Sequence, residues 1–242
     1  MRQIDEFTLA AISVVVKNAV LHRLSAIHAP LSFVQVGGND GITEDPIHDF
    51  IVQYGWIGVI VEPVPSLFER LRQTYREMTG VQFEMCACSD SSGIVTFYHV
   101  NTENELGLQL SSFSSETIMR HADSIPNLKD LIVPIEVSVK RVSQIIDDAT
   151  KDKIDAIFVD AEGHDDRVVR GIDLNRHRPQ IIYIEHKHLS YKQVRCLDRH
   201  LFDAEYRPLR LYNDTLYYLG SGTVSNYCAS FHPLSNACFA RI

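Results

Sequence analysis

The residues best suited to chemistry fall in four short polar stretches, each directly after an apolar run. The first, Gln35-Val36-Gly37-Gly38-Asn39-Asp40-Gly41, is a glycine-rich turn whose small residues let the backbone approach a ligand and point helix amides at it. The second is Glu62, about twenty residues beyond Gly41, an interval at which a carboxylate can accept from both hydroxyls of an adenosine ribose. In the third, Asp160-Ala161-Glu162-Gly163-His164-Asp165, strand alternation puts Asp160 and Glu162 on one side. Two carboxylates in one pocket require a cation, a metal or a shared proton. The fourth, Glu185-His186-Lys187-His188-Leu189, offers Glu185 and His188 to orient or deprotonate an acceptor, imidazole being the side chain most easily poised near neutrality.

Each stretch also has a plainer reading. The glycines could serve only a tight turn, Glu62 could cap a helix before Pro63, the Asp160–Glu162 pair could be neutralised by Arg167 or Arg170, and the last stretch could be a solvated turn. A dinucleotide fingerprint is not met: from Gly37 the second and third glycine positions hold Asn39 and Ile42, and from Gly38 they hold Asp40 and Thr43. A nicotinamide dehydrogenase is therefore disfavoured. Asp160, Glu162, His164 and Asp165 are hard oxygen and imidazole ligands close in sequence, but no fixed pair such as HxxxH anchors them, and no metal ligand is assigned.

Alternating apolar runs and amphipathic stretches must position these residues, the pattern of a parallel sheet with crossover helices. Buried strands are expected at Leu31–Val36, Ile57–Glu62, Val81–Cys88, Ile154–Asp160 and Gln180–Glu185, with Ile94–Val100 as an antiparallel addition and Val133–Val139 as a further strand. Asp45 and Pro46 are expected to cap and open a helix. Further helices are expected over Ser66–Met78, Val142–Asp148, from Asp165, and over Tyr191–Phe202. Tyr206–Leu211 and Thr215–Gly220 form a terminal hairpin through Asn213-Asp214, which makes the last strand antiparallel. Residues 101–130 are polar and serine-rich with one short helix near Ser114–Ala122, the form of a substrate loop or lid. Residues 1–30 read as a docking helix, with its own domain or a second subunit as its partner, and 221–242 as an unassigned tail.

Composition limits the partners. With 242 residues, 45% apolar and 22% charged, the chain is an ordinary α/β-sized domain, and its net charge of −8 gives no footprint for a nucleic-acid backbone. Phe7–Val16 follows Asp5 and Glu6 and is stopped by Lys17, so it reads as neither signal peptide nor transmembrane segment. Five cysteines without a CxxC pair fit a reduced, cytoplasmic setting.

The chain resembles the FkbM family of methyltransferases, a branch of the Rossmann-like class that uses S-adenosylmethionine (SAM). The resemblance covers roughly residues 31–220 and rests on Phe33-Val-Gln-Val-Gly-Gly-Asn-Asp-Gly41, Val61-Glu-Pro-Val-Pro65, Ala87-Cys-Ser-Asp-Ser-Ser-Gly93, Asp160-Ala-Glu-Gly163 and Glu185-His-Lys-His-Leu189. It implies a three-layer α/β sandwich around a mostly parallel seven-stranded sheet with the last strand antiparallel. It also implies SAM across the C-terminal strand ends, with Gln35, Gly37, Gly38, Asn39 and Gly41 on the methionine side, Glu62 on the ribose, and Ala87 and Asp90 near the adenine. Asp160 and Glu162 would orient cation and acceptor, and Glu185 and His188 would serve as bases. The chain departs from the family at Gln35, where an acid is frequent, and at Phe158, where a lysine often precedes the Asp-x-Glu-Gly block. The implied reaction is methyl transfer to a hydroxyl of a glycan or small-molecule acceptor. A metal-assisted O-methyltransferase and a non-catalytic binding module are the alternatives.

Overall fold

In the computed structural model, which describes residues 5–102, 107, 110–149 and 153–239, helix α1 (Glu6–Ile27) opens where the Asp5 carboxylate accepts the Thr8 amide at 2.8 Å. Val16, Val20, Leu21 and Leu24 pack with Phe33, Trp56 and Leu209, so the helix docks on its own domain, while Phe7, Val14 and Val15 stay exposed. The helix is longer than the apolar stretch Phe7–Val16 because Lys17 does not end it: its Nζ reaches the Pro46 carbonyl at 2.9 Å. By length and composition alone its 22 residues could cross a bilayer, yet its inner face is part of the core.

Next come β1 (Ser32–Val36), α2 (His48–Tyr54), β2 (Ile57–Val61), α3 (Pro65–Thr74) and β3 (Val81–Glu84). Helix α2 starts two residues later than Asp45-Pro46 implies, because Asp45 Oδ1 takes the Ile47 and His48 amides, both at 2.7 Å, from within the preceding loop. The expected strand Val81–Cys88 is two strands. β3 pairs with β2, and β4 (Ala87–Cys88) crosses to a second sheet with β5 (Gly93–Val100), β6 (Ser111–Ser112) and β7 (Ile132–Lys140), in the order β4-β7-β5-β6.

Between β6 and β7 lie α4 (Ser115–Met119) and α5 (Leu128–Leu131). The described part of 101–130 is therefore not an irregular loop: Val100, Leu110, Ile118, Ile125 and Leu128 give it a small core of its own. Residues 103–106 and 108–109 lie outside the described residues.

The remaining elements are α6 (Val142–Asp148), β8 (Ala156–Val159), α7 (Asp165–Arg170), β9 (Ile181–Glu185), α8 (Tyr191–Asp203), β10 (Tyr206–Arg210), β11 (Asp214–Leu219), α9 (Ser225–Ala229) and α10 (His232–Phe239). The main sheet runs β10-β11-β9-β8-β1-β2-β3, parallel except for β11, which is antiparallel to both its neighbours. Alternate residues serve the two faces. Val34, Val59, Ile157 and Ile182 meet α6, α7 and α8, while Phe33, Ile60, Phe158 and Ile181 meet α1, α2 and α9. Burial on both faces is why these strands read as continuous apolar runs. Strand order reverses at β1, which pairs with β2 on one side and β8 on the other, and a crevice opens at such a reversal.

Phe158 is buried between the rings of Trp56 and Tyr183, each 6.1 Å away. Phe158→Ala should lower stability by about 3–5 kcal/mol, read from the midpoint of urea unfolding.

Candidate active site

The glycine-rich turn is shaped by what it touches. The amides of Gly37 and Gly38 both donate to the Val61 carbonyl at 3.0 Å, folding the chain over the end of β2. Gly37 has φ +82°, and a Cβ there would stand 2.0 Å from the Asp160 carbonyl oxygen. Only glycine lets the turn lie on the end of β8. A Cβ on Gly38 would stand 2.2 Å from the Ile60 side chain. Gly41, with φ +76°, faces Leu71 and Tyr75 instead, and Tyr75 Oη donates to its carbonyl at 3.0 Å. It builds the turn from below and is not part of the cavity wall.

Above the turn lies a cavity of about 420 Å³, walled by the C-terminal ends of β1, β2, β8 and β9, by Cys86, Ala87 and Cys88, by Ala10, Ser13, Val14 and Lys17 of α1, and by Phe113 and His121 of the inserted segment. Gln35 is buried on this wall; its amide nitrogen donates to Asp45 Oδ2 at 2.9 Å, and its Oε1 has no partner among the described residues. Asn39 Oδ1 is likewise buried and unpartnered. Glu62 is 3% exposed; one carboxylate oxygen accepts the Asn39 amide and the other the Val64 amide, both at 2.9 Å. It thus ties the turn to the N-cap residue of α3, and burial pushes its pKa to about 7 against those two hydrogen bonds. Ala87 is on the wall, whereas Asp90 is not: its carboxylate is held by Arg167 at 3.1 Å.

At the far end the acids gather, though not by strand alternation: β8 ends at Val159, and Glu162 sits in the following turn with φ +48°. Asp160, Glu162 and Glu185 bring carboxylate oxygens within 4.8 Å of one another. Lys187 Nζ lies 2.6 Å from Glu185 Oε1, and His188 Nε2 lies 3.0 Å from Glu162 Oε2 and 3.9 Å from Glu185 Oε2. Burial and the Glu162 charge push Asp160 up; burial and the Asp160 charge push Glu185 up. Burial also opposes ionisation of Glu162, but His188 and Lys187 outweigh it and hold this carboxyl below its ordinary value. Burial works against the Lys187 ammonium, which the surrounding carboxylates nevertheless keep charged. Three carboxylates against one ammonium leave the group short of positive charge, so it retains a proton or takes a cation.

Neither arginine forms an ion pair with these acids among the described residues, and Arg167 is bound to Asp90. His164 and Asp165 do not join it either. The His164 ring stacks on Phe113 at 3.8 Å with Ser89 Oγ 2.9 Å from its Nε2, and Asp165 accepts the Ala161 and Gly163 amides. Sequence reasoning missed Asp45, which orients Gln35, and His121, which reaches the acids from the inserted segment. Asp45 was detectable by its place before Pro46; His121 carried no local signal.

A sheet with this strand order, a glycine-rich turn after β1 and an acid at the end of β2 define the Rossmann-like methyltransferase class. The family description "Methyltransferase FkbM domain" matches residues 35–213, and the chain belongs to the FkbM methyltransferase family. Among solved structures it is similar to the methyltransferase FkbM of Methylobacillus flagellatus KT (16% identity, TM-score 0.48), over 78% of this chain and 44% of that one. It is also similar to a precorrin-6y C5,15-methyltransferase of Geobacter metallireducens GS-15 (12% identity, TM-score 0.39, 80% and 72% of the two chains). An RNA methyltransferase of Salinibacter ruber in complex with S-adenosyl-L-homocysteine is similar at 13% identity and TM-score 0.38, over 84% and 87% of the two chains. The chain thus spans less than half of the Methylobacillus protein. No curated protein matches it.

Gly37 and Gly55 both have positive φ, but nothing lies within 4 Å of a Cβ at Gly55. Gly55→Ala should therefore cost about 1–2 kcal/mol, the strain of the left-handed backbone alone. Gly37→Ala adds a backbone clash and should cost clearly more; equal shifts in the unfolding midpoints would contradict the contact with Asp160.

Proposed function

We propose that the chain transfers the methyl group of SAM to a hydroxyl oxygen of a glycan or small-molecule acceptor. The observation that carries this reading is the pair of buried, unpartnered amide oxygens, Gln35 Oε1 and Asn39 Oδ1, on the wall beside the glycine-rich turn. Buried acceptors without donors are costly, and an ammonium supplies donors. A methionine ammonium at this place would satisfy both oxygens, so the residues present fit the group. Gln35 serves here without the charge of an acid because Asp45 holds its amide nitrogen and leaves its oxygen unused.

Glu62 would accept from the ribose hydroxyls with the lone pairs its two backbone partners leave, and Ala87 would lie against the base. The cofactor would supply a methyl carried on a sulfonium, which passes to the acceptor oxygen as the carbon–sulfur bond breaks. For that displacement the chain must align the acceptor and remove its proton. Glu162, held ionised, and His188 beside it can take the proton; Asp160 faces the region where the sulfonium charge would lie. Glu185, with its pKa pushed up by burial, is better suited to holding a proton than to removing one. The segment carrying Phe113 and His121 would cover the acceptor and exclude water. The net charge of −8 favours an acceptor other than nucleic acid, and we read the protein as cytoplasmic. Cys86, Cys88, Cys196 and Cys228 are free thiols; the side chain of Cys238 lies outside the described residues.

Isothermal titration should show S-adenosylhomocysteine binding and no NAD binding; binding of NAD alone would overturn the reading. Glu62→Ala should weaken that binding by about 1.5–3 kcal/mol. Because burial raises Glu62 to about 7, its charged form grows as the pH rises through neutrality. Affinity should increase from pH 6 to pH 8 in the wild type, and the slope should flatten in Glu62→Gln. Transfer of labelled methyl to a panel of hydroxylated acceptors separates an enzyme from a binding module, which would bind without turnover.

A further inference from the structure

We propose that His121, Glu162 and His188 form a site for one divalent transition-metal ion of the zinc type. Their donor atoms lie within 4.8 Å of one another, with Glu162 Oε2 and His188 Nε2 already 3.0 Å apart. In a tetrahedral zinc site with bonds of ~2.0–2.2 Å, neighbouring donors stand roughly 3.3 Å apart. The Glu162–His188 edge is therefore in place, and His121 is the side chain that has to close in on an ion.

Two features favour an ion over a simple polar cluster. Nε2 of His121 is shut off from solvent and makes no hydrogen bond among the described residues, and Nε2 of His188, equally shut off, stands 3.0 Å from Glu162 Oε2. The local charge also fits. Lys187 and Glu185 are paired at 2.6 Å, so the ammonium is committed to the Glu185 side of the cluster, and Glu162 turns toward the histidines. Arg120 donates to the His188 carbonyl, at 3.5 Å.

The donor set selects the metal class. Two imidazoles and one carboxylate suit Zn²⁺ or Co²⁺ better than Mg²⁺, which prefers an all-oxygen octahedral shell. Glu162 and His121 are on the cavity wall, so a fourth position would open toward the acceptor. His121 stands in the turn after α4, and the ion would fasten the inserted segment to the ends of β8 and β9. Metal binding itself does not depend on methyl transfer; with the ion bound His188 is a ligand and no longer a base, and the use of the open position for an acceptor oxygen rests on that reading.

The test is calorimetric titration of the chelator-stripped full chain with Zn²⁺ and with Mg²⁺, together with the visible absorption of added Co²⁺. One equivalent of Zn²⁺ should bind, Mg²⁺ should not compete, and Co²⁺ should show the intense bands of low-coordinate geometry. His121→Ala and His188→Ala should each weaken Zn²⁺ binding at least tenfold. His121→Cys should retain the site and add a thiolate-to-cobalt charge-transfer band, a readout that an effect on folding alone would not produce. Absence of stoichiometric Zn²⁺ binding, or binding indifferent to His121→Ala, would overturn the site. S-adenosylhomocysteine titrated in parallel keeps the two readings apart: its binding without Zn²⁺ sinks the metal site alone, and Zn²⁺ binding without it sinks methyl transfer alone.

Discussion

Backbone-to-backbone packing at the C-terminal ends of β1 and β8 governs everything above the sheet. The turn after β1 can rest on the Asp160 carbonyl only because Gly37 lacks a Cβ. That approach brings three things to one place: the amide oxygens of Gln35 and Asn39, the Asp160–Glu162 corner, and Glu62 at the end of the neighbouring strand. The reversal of strand order at β1 leaves the space that they wall. A side chain at Gly37 would lift the turn off β8 and separate the two halves of the site.

Electrostatics sets the second constraint. Burial raises Glu62, Asp160 and Glu185, each for want of enough positive charge nearby. Backbone amides partly compensate Glu62, which is why it also works as a structural clasp between the turn and α3. At the other end, among the described residues, Lys187 is the one ammonium paired within the group of three carboxylates. A cleft with an unmet demand for cations at both ends is suited to cationic ligands, an ammonium and a sulfonium or a metal ion.

The inserted segment changes the character of the site. Its strand β6 joins a second sheet, and its small core fixes α4, so that His121 and Phe113 are carried to the cavity by a folded unit rather than by a slack loop. Ile118, Ile125 and Leu128 hold this unit together from within, while Leu110 belongs both to its core and to the cavity wall.

Local pattern was enough to determine the alternation of strands and helices, the glycine-rich turn, and the acids at strand ends, because each is written within a few consecutive residues. Helix α6 follows the expected Val142–Asp148, and both residues of the Asp160–Glu162 pair line the cavity, although they lie beyond the end of β8 with Glu162 in a left-handed turn rather than on an alternating strand. Tertiary structure alone decided that Val81–Cys88 divides between two sheets, since both halves have the same strand propensity and differ only in the strand that receives their hydrogen bonds. It alone placed Asp45 behind Gln35, removed Asp90 to Arg167, and turned Gly41 away from the cavity. It alone brought His121 to Glu162 and His188. These are contacts between residues far apart in the chain, and they exist only once the sheets and the inserted segment have packed.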